Sequence, residues 1–183
     1  MEINLAGIEW ESIVDGPGFR TTIFVQGCGH HCEGCHNPQT WSYEPKKLVT
    51  VDELVEEVTS KNVNVSGVTL SGGEPFDQAE ALAEFVRKLK ELRPFFSIAA
   101  YTGYLVEELM TQPDKLELLK LVDILVDGPF QKDKKNATIL YRGSENQRIV
   151  DVESTLRAGF CVISKSPRWY RQTFRSIADA IKI

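Results

Sequence analysis

The sequence predicts an α/β fold in the form of a partial, open β/α barrel, with a parallel sheet and crossover helices. Short apolar runs alternate along the chain with amphipathic runs in the order β-α-β-α-β-α-β, which is typical of parallel strands joined by helices. Four such units are fewer than the eight of a closed barrel, so the sheet is expected to stay open.

Four strands are predicted from runs of β-branched and aromatic residues. They comprise residues 21–25, 65–70, 95–101 and 122–126. Each is followed by a glycine-containing turn, and in a parallel sheet these turns share one edge. Weaker strand candidates are residues 148–152 and 160–164.

Helices are predicted between the strands. Thr50-Val51-Asp52-Glu53 has the form of a capping box. A second helix begins at Asp77 and carries apolar residues at helical spacing. They are Leu82, Phe85, Val86 and Leu89. Shorter helical pieces are expected at 105–110 and 116–121, separated by Pro113.

The length and composition indicate one globular domain over residues 1–183. Its C-terminal extension, residues 157–183, is expected to carry a terminal amphipathic helix and to pack on the sheet. The chain has 21 Lys and Arg residues and 26 Asp and Glu residues, which gives a net charge of −5. This charge disfavours nucleic-acid binding. We expect no membrane span and no secretory signal, and therefore a cytoplasmic protein.

Three of the four cysteines lie within one short loop. The spacing is Cys28-x3-Cys32-x2-Cys35, and Cys161 stands alone, where it is expected to be a buried small apolar residue. An odd trio in a reducing compartment favours metal or redox chemistry over disulfides. Three thiolates could hold a [4Fe–4S] cluster with one iron left for an exchangeable ligand. Zinc bound by three cysteines and one histidine is the alternative.

The loop also offers three histidines. They are His30, His31 and His36. His30 and His31 are expected to be solvated loop side chains, whereas His36, directly after the third cysteine, could equally contact a bound ligand.

The other strand ends add polar and glycine residues to the same edge. Gly72-Gly73-Glu74-Pro75 lets the backbone approach a ligand closely, and Glu74 could accept a hydrogen bond from a ligand ammonium. Asp127-Gly128 ends the fourth strand, and Asp127 could either face a ligand or cap a turn. We therefore expect one site at the carboxyl ends of the strands.

Taken together, CxxxCxxC and GGEP resemble the radical S-adenosylmethionine (SAM) superfamily. Within it, four N-terminal segments are similar to the glycyl-radical-enzyme activases. They are Val14-Asp15-Gly16-Pro17-Gly18-x-Arg20, Phe24-x-Gln26-Gly27-Cys28, Cys35-His36-Asn37 and Thr40-Trp41. Three later segments are similar to the activases of anaerobic ribonucleotide reductase. They are Tyr101-Thr102-Gly103-Tyr104, Leu125-Val126-Asp127-Gly128-x-Phe130 and Arg142-Gly143-Ser144-x-Asn146-Gln147-Arg148.

The resemblance implies a partial barrel of the radical SAM type, with a [4Fe–4S] cluster held by Cys28, Cys32 and Cys35. SAM would lie along Gly34, Cys35 and His36. Its methionine end would be held by Gly72, Gly73 and Glu74, and its ribose or sulfonium side would face Asp127 and Gly128. Gly34 departs from the aromatic residue that many members of the superfamily carry before the third cysteine, so the adenine contact must come from elsewhere.

The activity implied is reductive cleavage of SAM to methionine and a 5′-deoxyadenosyl radical. That radical would take hydrogen from a backbone glycine of anaerobic ribonucleotide reductase. The implied electron donor is of the flavodoxin or ferredoxin type. Arg142, Asn146 and Arg148 would order a loop over the site or meet the partner, or the arginines would be solvated charges. Asp15 and Arg20 are expected to pair.

Three alternatives stay open on the sequence. The chain could be a pyruvate formate-lyase activating enzyme, a close cousin that is generally longer. It could be another small radical SAM enzyme that acts on a small molecule, such as a deazapurine synthase. It could also be a structural zinc module without catalytic activity.

Overall fold

In the computed structural model, residues 1–61 and 64–170 are described, and seven of their strands form one sheet. The strands are β1 (Glu2–Ser12), β2 (Arg20–Val25), β3 (Leu48–Thr50), β4 (Gly67–Gly72), β5 (Ser97–Tyr101), β6 (Ile124–Asp127) and β7 (Arg148–Asp151). The helices are α1 (Val51–Ser60), α2 (Ala79–Leu92), α3 (Val106–Leu109), α4 (Pro113–Leu119) and α5 (Val152–Ala158).

The centre of the sheet is parallel. The strand order is β3-β1-β2-β4-β5-β6-β7, and the pairs β2–β4, β4–β5 and β5–β6 are parallel. These four strands are those predicted from the sequence, and their crossover helices are confirmed as well. Because parallel strands end at the same edge, residues that follow β2, β4, β5 and β6 are brought together.

The flanks of the sheet are antiparallel, which corrects the expectation of a wholly parallel sheet. β1 was not predicted; it pairs antiparallel with both β2 and β3, and β7 pairs antiparallel with β6. Only some positions of β1 are buried, so its sequence lacks the continuous apolar run of a central parallel strand. The partial-barrel geometry stays a prediction.

Two boundaries near the end of the described chain also differ from the sequence prediction. The candidate strand at 160–164 contributes only an isolated bridge between Ile163 and Val150. A helix, α5, begins directly after β7, because the Asp151 carboxylate accepts a hydrogen bond from the Ser154 amide and caps it.

The crossover helices follow their local signals. The capping box of α1 is formed, with the Glu53 amide donating to Thr50 Oγ1 and the Thr50 amide donating to the Glu53 carboxylate. The apolar stripe of α2 is fully buried. Pro113 opens α4 rather than separating two helical pieces, since proline is well tolerated in the first helical turn. Among the described residues, no helix is long and apolar enough to cross a membrane.

Both faces of the sheet are covered. The alternation of side chains along β5 sends Ile98 and Ala100 into the main core with the helices, and Ala99 into a smaller cluster on the other face. Trp169 belongs to that smaller cluster and is 5% exposed. The C-terminal extension therefore packs on the sheet as far as Trp169. The predicted terminal helix lies, apart from Tyr170, outside the described residues.

Truncating Leu82 to alanine is expected to lower the free energy of unfolding by about 2–5 kcal/mol, because the side chain is fully buried between α2 and the sheet. Chemical denaturation of the purified protein measures this. Leu92→Ala, in the same helix but 55% exposed, is the control and should cost less than about 0.5 kcal/mol. Equal losses in the two variants would contradict the assigned core.

Candidate active site

A cavity of about 120 Å³ lies at the carboxyl edge of the parallel strands. Seven of the residues predicted from the sequence line it. They are Cys28, Cys32, Cys35, Gly72, Gly73, Glu74 and Gly128. Gly34, His36 and Asp127 do not line it. The cysteine loop and the Gly-Gly-Glu turn, far apart in sequence, thus share one cavity.

The cysteine loop is tied to the segment that follows it. The Gly27 amide donates to the Thr40 carbonyl and the Cys28 amide donates to the Trp41 carbonyl, at 2.8 and 3.1 Å. The Asn37 amide donates to Cys35 Sγ at 3.3 Å. All three thiols are free of disulfides. The loop is therefore braced at its start and at its end.

Two of the three thiols, those of Cys28 and Cys32, are in a setting that disfavours the thiolate. Burial, together with the negative charge of Glu74, raises the pKa of Cys28 to about 11. Burial also raises the pKa of Cys32. Near neutral pH these groups hold their protons unless a cationic centre takes the proton's place, which is the behaviour of metal-binding cysteines.

The donor set fits a [4Fe–4S] cluster. Within residues 1–61 and 64–170, no three His, Cys, Asp or Glu side chains are grouped so as to hold a single metal ion. Structural zinc gathers four donors on one ion, whereas a cubane spreads its cysteines over separate iron atoms. Trp41 lines the cavity, and its indole Nε1 is buried with no acceptor among the described residues. That N–H is a donor available to a sulfur-rich ligand.

The two glycines after β4 are required by the packing of the chain itself. A Cβ at Gly73 would lie 2.1 Å from the Gly27 carbonyl oxygen, and one at Gly72 would lie 2.6 Å from the Val25 nitrogen. The Gly73 amide donates to the Val25 carbonyl and the Glu74 amide donates to the Gly27 carbonyl. The missing side chains thus let the turn press against the start of the cysteine loop.

Glu74 makes four side-chain hydrogen bonds with the described residues around the cavity. It is 1% exposed, and four donors surround its carboxylate. Oε1 accepts from the Phe76 amide at 3.0 Å and from Thr102 Oγ1 at 2.9 Å. Oε2 accepts from the Gly103 amide at 2.8 Å and from His30 Nε2 at 2.9 Å. A buried carboxylate is stable here because each oxygen has two partners.

His30 is part of this network, which corrects its expected place in solvent. Its side chain is 22% exposed and packs edge-on against Tyr104, with ring centroids 4.5 Å apart. The hydrogen bond to Glu74 raises the pKa of His30. A Cβ at Gly103 would lie 2.4 Å from His30 Cδ2, so Gly103 makes room for the imidazole. The spacing of the loop gave no sign of this contact.

The neighbouring positions of the loop face outward. His31 is exposed, as expected, and packs edge-on against Trp41 at 5.0 Å. Gly34 and His36 are exposed as well, and the His36 ring lies 6.0 Å from that of Phe130. Phe130 itself lines the cavity. These residues therefore border the cavity from outside.

Asp127 is fully buried and is committed to protein groups. Its carboxylate accepts from the Val106 amide at 2.8 Å, at the start of α3, and from the Arg148 guanidinium. Arg148 also pairs with Glu107, and this lowers the pKa of the Glu107 carboxyl. Of the two roles open on the sequence, these contacts favour the cap. Gly128, the next residue, reaches the cavity.

The segment Arg142–Arg148 folds over the same strand end. Gln147 lines the cavity, donates to the Gly128 carbonyl and accepts from the Gly143 and Ser144 amides. Asn146 donates to the Pro129 carbonyl. Sequence reasoning overlooked Gln147 as a site residue, although the motif that contains it pointed to a loop over the site.

Arg20 and Asp15 do not pair, contrary to expectation. The Arg20 guanidinium is buried and donates to Thr69 Oγ1 and to oxygens of Ser97 and Val68. Burial lowers the pKa of Arg20 to about 10. Asp15 accepts from the hydroxyl of Thr22 and from that of Ser12. Arg20 lines a separate cavity of about 500 Å³ at the amino ends of the strands, away from the cysteines.

Comparison with known proteins gives this site a family. A family model described as "4Fe-4S single cluster domain" matches residues 14–150. The anaerobic ribonucleoside-triphosphate reductase-activating protein of Escherichia coli is 34% identical, over 74% of this chain and 90% of its own length. The proteins of the same name from Haemophilus influenzae and Vibrio cholerae are 34% and 36% identical, over 75% of this chain and 90% of theirs.

The chain belongs to the family of anaerobic ribonucleoside-triphosphate reductase-activating proteins. The family inferred from the motifs is thereby confirmed. As an activating protein of this family, the chain contains within its 4Fe–4S domain the cysteine loop, Glu74 and the Arg142–Arg148 segment. A solved structure of QueE from Escherichia coli also matches, with a TM-score of 0.44 and 18% identity over 56% of this chain and 53% of that chain.

Replacing Arg148 with methionine is expected to lower the free energy of unfolding by about 3 kcal/mol, because Asp127 would be left buried without its cation. Thermal and chemical denaturation measure this. Arg157→Met is the matched control, since its pair with Glu153 is exposed on both sides and should contribute less than about 0.5 kcal/mol. A loss no larger than that of the control would show that Asp127 does not depend on Arg148.

Proposed function

We propose that this activating protein cleaves SAM reductively and generates a glycyl radical on anaerobic ribonucleotide reductase. One observation carries the proposal: three free thiols and the Gly-Gly-Glu turn meet in one cavity, in a chain whose family carries a 4Fe–4S domain. Three cysteines leave one corner of a four-iron cluster without a protein ligand.

In this proposal Cys28, Cys32 and Cys35 hold the [4Fe–4S] cluster. When bound, it would supply an iron for the amino and carboxylate groups of SAM to chelate, and the electron that cleaves the sulfonium C–S bond to give methionine and a 5′-deoxyadenosyl radical. The bracing of the loop by Thr40 and Trp41 fixes the thiols relative to the strand ends.

The methionine end of SAM would lie on the Gly-Gly-Glu turn. Glu74, Gly72 and Gly73 all line the cavity. Gly34, Cys35 and His36 would border SAM on the outer side of the loop. Gly128 would contact the ribose or sulfonium side of SAM. Asp127 would act indirectly, by holding this strand end in place through its bonds to Val106 and Arg148.

In this proposal the cavity enlarges when SAM enters. Its volume of about 120 Å³ is well below the roughly 300–1,000 Å³ of pockets that bind cofactor-sized ligands. The movable parts of its wall are side chains and loops rather than strand ends. His30, Phe130 and Gln147 are the candidates, because each lies on a connecting segment.

The protein substrate would be anaerobic ribonucleotide reductase. A hydrogen atom would pass from the Cα of a reductase glycine to the 5′ carbon of the nucleoside radical, giving 5′-deoxyadenosine and a glycyl radical. The one electron consumed would come from a donor of the flavodoxin or ferredoxin type. We place the reaction in the cytoplasm, where such donors and free thiols coexist.

Alanine at position 28, 32 or 35 is expected to abolish 5′-deoxyadenosine formation, because the cluster loses an iron ligand. Iron and acid-labile sulfide, counted in anaerobically reconstituted protein, and chromatography of the products measure this. Cys161→Ala is the matched control: its thiol packs against the main core, away from the cavity, and the variant should keep cluster and cleavage. Wild-type cleavage in any of the first three variants would refute the assigned ligands.

Incubating the reduced holoprotein with SAM and the reductase is expected to give a glycyl-radical signal in electron paramagnetic resonance. The signal should be a doublet, because the unpaired electron couples to the remaining α hydrogen. It should collapse to a single line when the reductase carries Cα-deuterated glycine. Pyruvate formate-lyase, offered in parallel, should stay silent. Cleavage of SAM without a radical on the reductase would mean that the proposed partner is wrong.

A further inference from the structure

The Glu74 carboxylate has no free acceptor position. An ionised carboxylate offers about four lone-pair positions on its two oxygens. All four are taken, by the amides of Phe76 and Gly103, the hydroxyl of Thr102 and the imidazole of His30. The amino group of a ligand can therefore donate to Glu74 only if one of these donors leaves.

Three of the four donors are fixed. The Phe76 amide belongs to the turn that follows Glu74 itself, and the Gly103 amide lies two residues after the end of β5. The Thr102 hydroxyl is buried and also accepts a hydrogen bond from the Tyr104 amide, so its position is fixed by one donated and one accepted hydrogen bond. None of these can withdraw without unfolding a strand end.

His30 is the donor that can leave. It lies on the cysteine loop after Gly29, outside any strand or helix, and its side chain is partly exposed. Edge-on contact with Tyr104 and the close approach to Gly103 hold the ring in place without further hydrogen bonds from it to the described residues. Since His30 also lines the cavity, its departure would enlarge the space that SAM needs.

We propose that His30 occupies the position on Glu74 that the iron-bound amino group of SAM takes with one of its N–H donors, and that SAM binding displaces the His30 side chain. This rests on the proposed function, in which Glu74 receives the methionine end. His30 is then a gate: it satisfies the buried carboxylate in the free protein and yields to the substrate. The N–H of the imidazole and an N–H of the iron-bound amino group can each donate to the same carboxylate oxygen.

A gate and a purely positioning role predict opposite changes in SAM affinity when the His30 side chain is replaced. If His30 only oriented Glu74, removing its N–H would weaken SAM binding. If His30 competes with SAM, removing its N–H spares SAM the breaking of a charge-assisted hydrogen bond. The dissociation constant for SAM should then fall by roughly tenfold.

The test measures SAM binding to anaerobic holoprotein with the cluster oxidised, so that no cleavage occurs, after iron and sulfide have been matched between variants. Equilibrium dialysis gives the dissociation constant. His30→Phe keeps a ring against Tyr104 and lacks the donor, and His30→Ala is the second variant should the phenyl ring not fit. Both should bind SAM roughly tenfold more tightly. His30→Gln, which keeps an N–H donor, should bind like the wild type.

Two controls separate this inference from the proposed function. His31→Phe changes the neighbouring histidine, which packs on Trp41 instead of Glu74, and should leave the dissociation constant unchanged. A SAM analogue with hydrogen in place of the amino group should bind His30→Phe and wild type equally.

Glu74→Gln tests the contact on which the gate depends, and it should weaken SAM binding. If it does, while His30→Phe and His30→Ala bind SAM no more tightly than wild type, the gate is refuted and the proposed function stands. If Glu74→Gln binds SAM like the wild type, the methionine contact at Glu74 is wrong, and the gate fails with it.

Discussion

The close approach of two backbone segments holds the site together. Gly73 lies so near the Gly27 carbonyl that no side chain fits between them, and two amide hydrogen bonds join the turn after β4 to the end of β2. Because the cysteine loop begins at the next residue, Cys28, its position relative to Glu74 is set by this contact. The glycines that first suggested a ligand site are therefore required by the packing of the chain itself. The position of the site follows from that packing.

The parallel centre of the sheet could be predicted because its signals are local. The runs at 21–25, 65–70, 95–101 and 122–126 are short and rich in β-branched and aromatic residues, as is typical of strands buried on both faces. The cluster of three thiols could likewise be predicted from the spacing of the cysteines in the sequence. The strand β1 escaped prediction because its burial is uneven, and its pairing with β2 depends on contacts that no local pattern encodes.

Side-chain partners at the site were the least predictable part. His30 and His31 look alike in sequence, yet one bonds a buried carboxylate and the other lies in solvent. The difference arises where β4 and β5 meet the loop, and it depends on Gly103 being small. Asp127 likewise has its partners, Val106 and Arg148, on segments that only the fold brings near. Such choices depend on tertiary contacts.

The packing of Trp169 shows that the folded unit extends past the last residue matched by the family model. The family model ends at residue 150, yet Trp169 lies against Ala99, Val126 and Ile149 on the face of the sheet that the helices leave bare. A fragment cut at the homology boundary would present that apolar face to water and would be prone to self-association. Excising or grafting the 4Fe–4S domain thus requires the segment as far as Trp169 to be kept with it.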